Sequence, residues 1–374
     1  MEKRGIWYRS DLLPTDYDSG KAKIEEDFKL YEKLKITNVF LLAKGPYDYL
    51  YYDTKVGFKN PNFDWDVLKT ALEIAAQHGL SIHAWVVVNR NSILISNNPS
   101  YAMVDINGNP SSEWSNPAIP EVRSYIFNII REIIMNYDVK GVHLDYIRYP
   151  GSNYSYDNYS RSAFQSEYGF DPLTNPNAPE WAEWRTRQIT SQVTVSKTII
   201  KSYNPKIQLS AAVVSPSSAR LGVFQDWIDW SNKGLMDFLC PMAYTDSTTL
   251  FESYVNDIMR NVGEKTEVLA GIGIYLYYNN PKRKDIFLSQ INTTRKYKTA
   301  GWVLFRDEFL APFVEFFPEL EPKPDVATQA AILGLFTAFL PTMVPVISDF
   351  AKTVYVIAED KLGRLWSEIK ERVM

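Results

Sequence analysis

Eight short runs rich in β-branched and aromatic residues recur along the chain, and segments with helical periodicity separate them. The runs occupy residues 4–10, 37–44, 81–89, 141–149, 207–214, 236–245, 267–276 and 301–308. Between the first two, Ile24, Phe28, Tyr31 and Leu34 fall on one helix face. Strands that alternate with helices pair in parallel, and eight such units close a ring. The sequence therefore predicts an α/β fold, a (β/α)8 TIM barrel.

The two longest insertions follow predicted strands three and four, at residues 90–117 and 151–178. Each lies after a strand and before the next predicted helix. Loops of this kind lie at the C-terminal face of a barrel, where active sites form. The sequence therefore predicts a functional site close to the ends of strands three and four.

The fourth strand reads "GVHLDYIRYP", residues 141–150, and carries charge where a buried strand should be apolar. Side chains alternate along a strand, so His143 and Asp145 share one face. Val142 and Leu144 share the other face and must pack against the outer helices. His143 and Asp145 are therefore predicted to point into the barrel, with Asp145 near the C-terminal end. A buried carboxylate is costly without a purpose, and we interpret Asp145 as catalytic. The alternative is a structural brace paired with Arg148 or His143.

Further candidates lie on strand three and at the ends of other strands. His83 and Trp85 share a face of strand three, and His83 is interpreted as a partner of Asp145 or of a substrate hydroxyl. The alternative for His83 is a satisfied core histidine. The predicted substrate-binding residues are Trp7, Tyr47, His83, Trp85, His143, Arg148, Tyr149 and Tyr244. Asp246 and Asp307 are the candidates for a second catalytic carboxylate.

Aromatic residues make up 14% of the chain. Aromatic rings offer flat apolar faces with polar edges, against which sugar rings stack. The alternative is that a tyrosine-rich composition only reflects the amino-acid usage of the source organism. The tyrosines of "GPYDYLYYD" after strand two, and Tyr149, Tyr154, Tyr156 and Tyr159 after strand four, are predicted to line a sugar-binding cleft.

The segment "GVHLDYIRYP" resembles the strand-four signature of the glycoside-hydrolase-like family 10 proteins. Other segments agree in order: "RGIWY", "HGLSIHAWVVVN", "NPAIPEVRSYIFNIIREIIMNYDVKG", "WAEWRTRQI" and "DFLCPMAYT". The similarity covers roughly residues 3–315. The resemblance implies a carbohydrate-active barrel in which Asp145 is the catalytic carboxylate.

The chain departs from the wider amylase-like and chitinase-like barrels at the second carboxylate. Amylase-like barrels place a Glu after strand five and an Asp after strand seven, but "AAVVSPSSAR" and "GIGIYLYYNN" supply neither. Chitinase-like barrels place a Glu two residues beyond the strand-four Asp, where this chain has Ile147. Glycoside hydrolysis usually needs two carboxyl groups.

Three functions are compatible with these patterns. The first is a glycoside hydrolase in which Asp145 is nucleophile or base and Asp246 or Asp307 is the acid. The second is a carbohydrate-binding barrel without turnover, which the missing second carboxylate favours. The third is a membrane- or assembly-associated structural protein, for which the C-terminal segment is the relevant feature.

Charge and rare residues narrow the choice of ligands. The net charge of −4 argues against nucleic acid as a partner, because phosphate binding needs a basic field. Three histidines and one cysteine argue against a metal site, and no cofactor is predicted. The N-terminal residues show no apolar run after their charges, so we expect no signal peptide and, by default, a cytoplasmic location.

Three segments are predicted: a barrel at 1–317, a proline- and acid-rich linker at 318–325, and a helical hydrophobic tail at 326–374. Residues 326–348 carry no charge, and Pro341 and Pro345 interrupt them. Their length reaches that of a membrane span. The tail is interpreted either as a membrane anchor or as a helical hairpin that packs on the barrel or on another subunit.

Overall fold

Eight parallel strands close into a barrel in the computed structural model, which describes residues 2–321. The strands are β1 (Lys3–Tyr8), β2 (Asn38–Lys44), β3 (Ser81–Val87), β4 (Gly141–Asp145), β5 (Gln208–Val214), β6 (Phe238–Met242), β7 (Glu267–Ile272) and β8 (Gly301–Leu304). Each pairs in parallel with the next, and β8 pairs with β1 to complete the ring. The predicted TIM barrel is confirmed.

The helices of the described chain lie around this ring. They are α1 (Tyr17–Lys33), α2 (Val67–Gln77), α3 (Ser92–Asn97), α4 (Pro120–Asn136), α5 (Asn158–Tyr168), α6 (Pro179–Tyr203), α7 (Trp227–Asn232), α8 (Thr248–Val262) and α9 (Arg283–Lys296). Their first residues follow the usual chemistry. Asp16, Asp66 and Asp157 cap α1, α2 and α5 by accepting a backbone N–H, and proline opens α4 and α6.

The long loops after β3 and β4 contact one another at the C-terminal end of the barrel, which we call the mouth. The first loop contains an antiparallel hairpin, Ala102–Val104 with Pro110–Ser115. The amide of Ile106 donates to the carbonyl of Asn153 at 2.9 Å, and the amide of Tyr156 donates to Val104 at 2.9 Å. The two insertions therefore form one continuous wall beside β3 and β4.

The barrel interior is filled by large rings rather than left open. Phe40 lies 4.6 Å from His143 and 5.0 Å from His83 between ring centroids, and Trp7 lies 5.7 Å from Phe40. Val142 and Leu144, on the opposite face of β4, are fully buried against the outer layer. The predicted alternation of β4 is confirmed, and the interior is a packed core, as in other barrels.

Two units divide the chain, Met1–Pro318 and Glu319–Met374. Residues 322–374 lie outside the described residues, and they include the whole predicted tail and half of the predicted linker. The anchor and hairpin interpretations of the tail therefore stay predictions. Between residues 2 and 321, no helix has the length and apolar character needed to cross a membrane.

Candidate active site

Asp145 is the last residue of β4 and lies at the mouth with 6% of its surface exposed. Its Oδ2 accepts the indole N–H of Trp85 at 3.1 Å, and its Oδ1 accepts the amide of Tyr146 at 2.7 Å. Arg148 Nη1 lies 3.6 Å from the same Oδ1. Burial raises the pKa of Asp145, and the charge of Arg148 opposes that rise. The side chain is therefore held in one orientation and takes up a proton more readily than an exposed aspartate.

A hydrogen-bonded layer lies under Asp145 inside the barrel. Trp7 donates its indole N–H to Nε2 of His143 at 3.1 Å, and Nδ1 of His143 lies 2.9 Å from the hydroxyl of Ser210. Since an indole N–H only donates, Nε2 must accept and Nδ1 must carry the proton. Burial lowers the pKa of His143 well below its usual value. His143 is therefore a neutral part of the floor, and both of its ring nitrogens are already bonded within the protein.

One side of the mouth is formed by a group that we call the Tyr146 wall: Arg90, Glu113, Trp114, Tyr146 and Arg148. The guanidinium carbons of Arg90 and Arg148 lie 5.3 Å and 4.6 Å from the centre of the Tyr146 ring, and the Trp114 ring lies 5.6 Å away. Tyr146 has a φ of 51°, in the left-handed region that bulky residues rarely adopt. Such a conformation persists where the surroundings fix it, and it recurs at functional sites.

A second set of aromatic residues follows β6, β7 and β8, across the ring from β4. Tyr244 stacks on Phe305 with ring centroids 5.1 Å apart, and Tyr275 meets both edge-on at 6.0 Å and 5.7 Å. Gly273 allows this arrangement, since a Cβ there would lie 3.0 Å from Cβ of Tyr244. Burial and the charge of Asp145 raise the pKa of Tyr244 well above its usual value. Tyr244, predicted from the sequence, therefore faces the same space as Asp145.

His83 lies far from the mouth, and the expected hydrogen bond to Asp145 is not formed. It pairs in register with Gly141, the first residue of β4, about 13 Å along the strand from Asp145 at ~3.3 Å per residue. Its Nε2 lies 3.2 Å from Oδ1 of Asn38. Burial lowers the pKa of His83 to about 3. In this structure His83 is a core residue near the N-terminal end of the barrel.

Four of the eight tyrosines predicted to line the cleft are buried within the protein, whereas Tyr159 is 46% exposed. Tyr51, Tyr52, Tyr149 and Tyr156 have at most 5% of their surface exposed. The ring of Tyr149 packs edge-on against Phe224 at 5.3 Å, and its hydroxyl lies 3.4 Å from that of Ser155. Tyr149, predicted to bind substrate, is thus fully buried under Ser155 of the loop after β4 and Phe224 of the loop after β5. Tyr47, in the loop after β2, is 59% exposed.

The two candidates for the second carboxylate lie in different surroundings. Asp246 follows β6, two residues beyond Tyr244, and is exposed. Asp307 accepts the amide of Arg9 at 3.1 Å and lines a cavity of about 600 Å³ together with Tyr8 and Asp27 on the α1 side of β1. Burial raises the pKa of Asp307 to about 7. Arg9, Asp27 and Glu308, the residues that influence the pKa of Asp307, all line this cavity. The structure therefore does not bring Asp307 together with Asp145.

Several side chains at the mouth were missed by the sequence reasoning. Arg90, Tyr146 and Phe305 each lie within three residues of a strand end, and Glu113 and Trp114 lie in the long insertion after β3. Two features of the sequence could have identified these residues: a position just after a strand, and a position in a long loop. Arg90 and Trp114 both reach Tyr146 because the hairpin brings Trp114 next to Arg90, with which it forms an antiparallel bridge.

Within residues 2–321, no group of three or more His, Cys, Asp or Glu side chains is arranged to hold a metal ion. The polar groups at the mouth are carboxyl, guanidinium, phenol and indole groups. Such groups can bind and orient hydroxylated ligands and transfer protons.

A family model described as "Glycosyl hydrolase-like 10" matches residues 3–285. Among curated relatives, glycosyl hydrolase YngK of Bacillus subtilis is 24% identical over 65% of this chain and 54% of its own length. Glycosyl hydrolase DigH of Escherichia coli K12 is 26% identical over 64% of this chain and 65% of its own length. The chain thus spans between half and two thirds of the length of these relatives.

Among solved structures, the PgaB (BpsB) glycoside hydrolase domain from Bordetella bronchiseptica is similar in fold. Its TM-score is 0.71 with 13% sequence identity, over 86% of this chain and 98% of that domain. The catalytic domain of a β-amylase from Paenibacillus polymyxa has a TM-score of 0.60 with 12% identity, over 86% of this chain and 99% of that domain. At these identities the likeness concerns the fold.

Proposed function

The chain belongs to the glycosyl hydrolase-like 10 family, and from that premise we propose that it hydrolyses glycosidic bonds in a polysaccharide or glycan with Asp145 as the general acid. The environment of Asp145 carries the proposal. The carboxyl group is the last residue of β4, is fixed by Trp85 and the Tyr146 amide, and has its pKa raised by burial. Glycosidases use a carboxyl group with a raised pKa to protonate the leaving oxygen.

This assignment differs from the sequence-based one, in which Asp145 is nucleophile or base. A nucleophile or base must be ionised, and burial works against ionisation. Arg148 moderates that effect, so the proton remains available for transfer. Trp85 donates to Oδ2 and keeps the group oriented toward the mouth.

We assign the second carboxyl role to Asp246 rather than to Asp307. Tyr244 faces Asp145, and Asp246 follows it by two residues on the same loop. An exposed carboxylate in that position suits a base that activates water. Asp307 is oriented to the separate cavity beside α1 and lacks this relation to Asp145.

The test compares Asp145→Asn, Asp246→Asn and wild type for release of reducing ends from a panel of polysaccharides and glycans. Loss of an acid or base is expected to lower turnover by about 10²–10⁴-fold. Asp138→Asn, an exposed surface change on the loop before β4, is the matched control and should leave turnover unchanged. Thermal melting of each variant checks its folding. Wild-type turnover by Asp145→Asn would remove Asp145 from the mechanism.

A carbohydrate-binding barrel without turnover is the second candidate. It is favoured by the fact that, within the described chain, none of the groups with the largest effect on the pKa of Asp145 is another carboxylate. This candidate predicts that wild type and Asp145→Asn bind the same glycan and that wild type releases no product on prolonged incubation. Product release by wild type alone would reject it.

A further inference from the structure

The Tyr146 wall contains two guanidinium groups held against one aromatic ring. Arg90 comes from the loop after β3 and Arg148 from the loop after β4. Both lie within cation–π distance of Tyr146, at 5.3 Å and 4.6 Å. An arginine stacked in this way keeps its N–H groups in a fixed plane, which prepares them for a planar acceptor.

Each of these arginines has an N–H that no acceptor satisfies within the described chain. Arg90 Nε and Arg148 Nη1 are both buried and have no hydrogen-bond partner. Arg90 does reach Glu113 through Nη2 at 2.7 Å. Arg148 Nη1 lies 3.6 Å from Asp145, beyond hydrogen-bond length. A buried donor without an acceptor costs about 1–3 kcal/mol, so a ligand that supplies acceptors here is favoured.

The charges around Tyr146 favour an acceptor that is an anion. Arg90 and Arg148 contribute two positive charges, and Glu113 contributes one negative charge through its pair with Arg90. Asp145 is neutral in its role as acid under the proposed function. One positive charge is then left over at the wall. A carboxylate neutralises it and matches the fork of a guanidinium, whereas a neutral sugar hydroxyl supplies an acceptor only.

We propose that the Tyr146 wall binds the carboxylate of an acidic sugar, and that the substrate class is therefore a carboxylated glycan. This inference rests on the proposed function, because it takes Asp145 as the protonated partner beside Arg148. Arg90 is the specificity-determining residue, since it is stacked on Tyr146 and, among the described residues, forms its ion pair with Glu113 rather than with Asp145. Trp114 and Tyr146 supply ring faces next to the carboxylate position.

The test measures binding by calorimetry with the Asp145→Asn protein, so that turnover plays no part. The probes are oligosaccharides of glucuronic acid and of galacturonic acid, each paired with its carboxyl-reduced form, which differs only at C6. At least one acidic probe should bind about 10-fold more tightly than its reduced partner, equivalent to about 1.4 kcal/mol. Adding Arg90→Gln should abolish that preference, and Arg90→Lys, which keeps the charge, should retain a part of it.

Arg131→Gln is the matched control, because Arg131 is an exposed arginine on α4, and it should leave the preference unchanged. The inference is overturned if no acidic probe binds more tightly than its reduced partner, or if Arg90→Gln keeps the preference. A preference for acidic probes together with no wild-type turnover of any glycan would uphold the carboxylate site and reject hydrolysis. Turnover of neutral glycans alone would uphold hydrolysis and reject the carboxylate site.

Discussion

At the scale of single residues, the chemistry of the mouth depends on the pKa of Asp145, on which its neighbours have opposing effects. Burial raises its pKa, while Arg148, the Tyr146 amide and Trp85 each favour the ionised form. Arg148 has the largest effect of these three. Changing it should therefore alter the pH dependence of the reaction more than the geometry of the carboxyl group, which Trp85 and the Tyr146 amide hold.

Replacing Arg148 with Gln should move the alkaline limb of the pH–rate profile to higher pH by about one unit. An acid must be protonated, so activity is present below the pKa of Asp145 and lost above it. Removing a positive charge raises that pKa further and extends activity upward. Profiles of kcat/KM for wild type, Arg148→Gln and Arg148→Lys measure this, and the Lys variant should stay near wild type. If Asp145 were a base, the acidic limb would move upward instead.

The alternation of side chains along a strand predicts which face of the strand a residue occupies, but not how far along the barrel axis it lies. His83, His143 and Asp145 were all predicted to face inward, and their ring and hydrogen-bond partners lie inside the barrel. Neighbouring strands of a barrel are staggered, however, so equal positions within two strands lie at different heights. His83 aligns with Gly141 and Trp85 aligns with His143. The register between β3 and β4 decides whether a residue of β3 lies in the core or at the mouth, and this register cannot be read from the sequence.

At the scale of elements, the long loop after β4 is fixed to the barrel by one buried cation. Arg185 of α6 is 3% exposed and donates from Nη1 to the carbonyls of Ser152 and Tyr154 at 2.5 Å and 3.2 Å. Its guanidinium lies 3.9 Å from the centre of the Phe224 ring. The helix segment "WAEWRTRQI" thus positions the loop that carries Arg148 and covers Tyr149.

Replacing Arg185 with Met should loosen this loop while leaving the barrel strands intact. The change keeps a long apolar stem but removes the donor from the partly buried carbonyls of Ser152 and Tyr154, and we expect a loss of about 1–3 kcal/mol in the free energy of unfolding. Hydrogen–deuterium exchange should rise at residues 151–157 and stay unchanged in β1–β3. Arg187→Met, at an exposed position on the same helix that pairs with Glu167, is the control. Unchanged exchange at 151–157 would show that Arg185 does not hold the loop.

The elements themselves were largely predictable from periodicity, and the errors concern the ends of the strands and one short hairpin. All eight predicted strands exist, but several extend too far at the C-terminal end: residues 141–149 were predicted where β4 is Gly141–Asp145. Ile147 and Tyr149 are fully buried although they follow the strand. Loops that fold over the mouth bury apolar side chains as strands do, so composition alone cannot place the boundary. The hairpin was missed because its first strand, Ala102–Val104, has only three residues and its second, Pro110–Ser115, is mostly polar.

At the scale of the whole molecule, pairing between strands that lie within residues 3–304 closes the barrel. β8 pairs with β1 through four residue pairs, from Lys3 with Gly301 to Ile6 with Leu304, and β1 pairs with β2 on its other side. The ring is therefore complete by residue 304. The mouth residues that surround Asp145, from Trp85 to Phe305, also lie within the described residues.

A chain that ends at residue 325 should therefore fold and keep the glycan binding and turnover of the full-length protein. Its melting temperature should lie within about 3 °C of the full-length value, since a 1 kcal/mol change shifts large domains by about 2–4 °C. Sedimentation of both chains without detergent tests the tail at the same time. If the full-length chain needs detergent, the anchor interpretation holds; if it forms a defined oligomer that the shorter chain does not, the packing interpretation holds. If both chains sediment as monomers without detergent, the membrane-anchor interpretation and the packing of the tail on another subunit are contradicted. If the shorter chain melts at a temperature lower by 10 °C or more, the barrel depends on the tail for its stability.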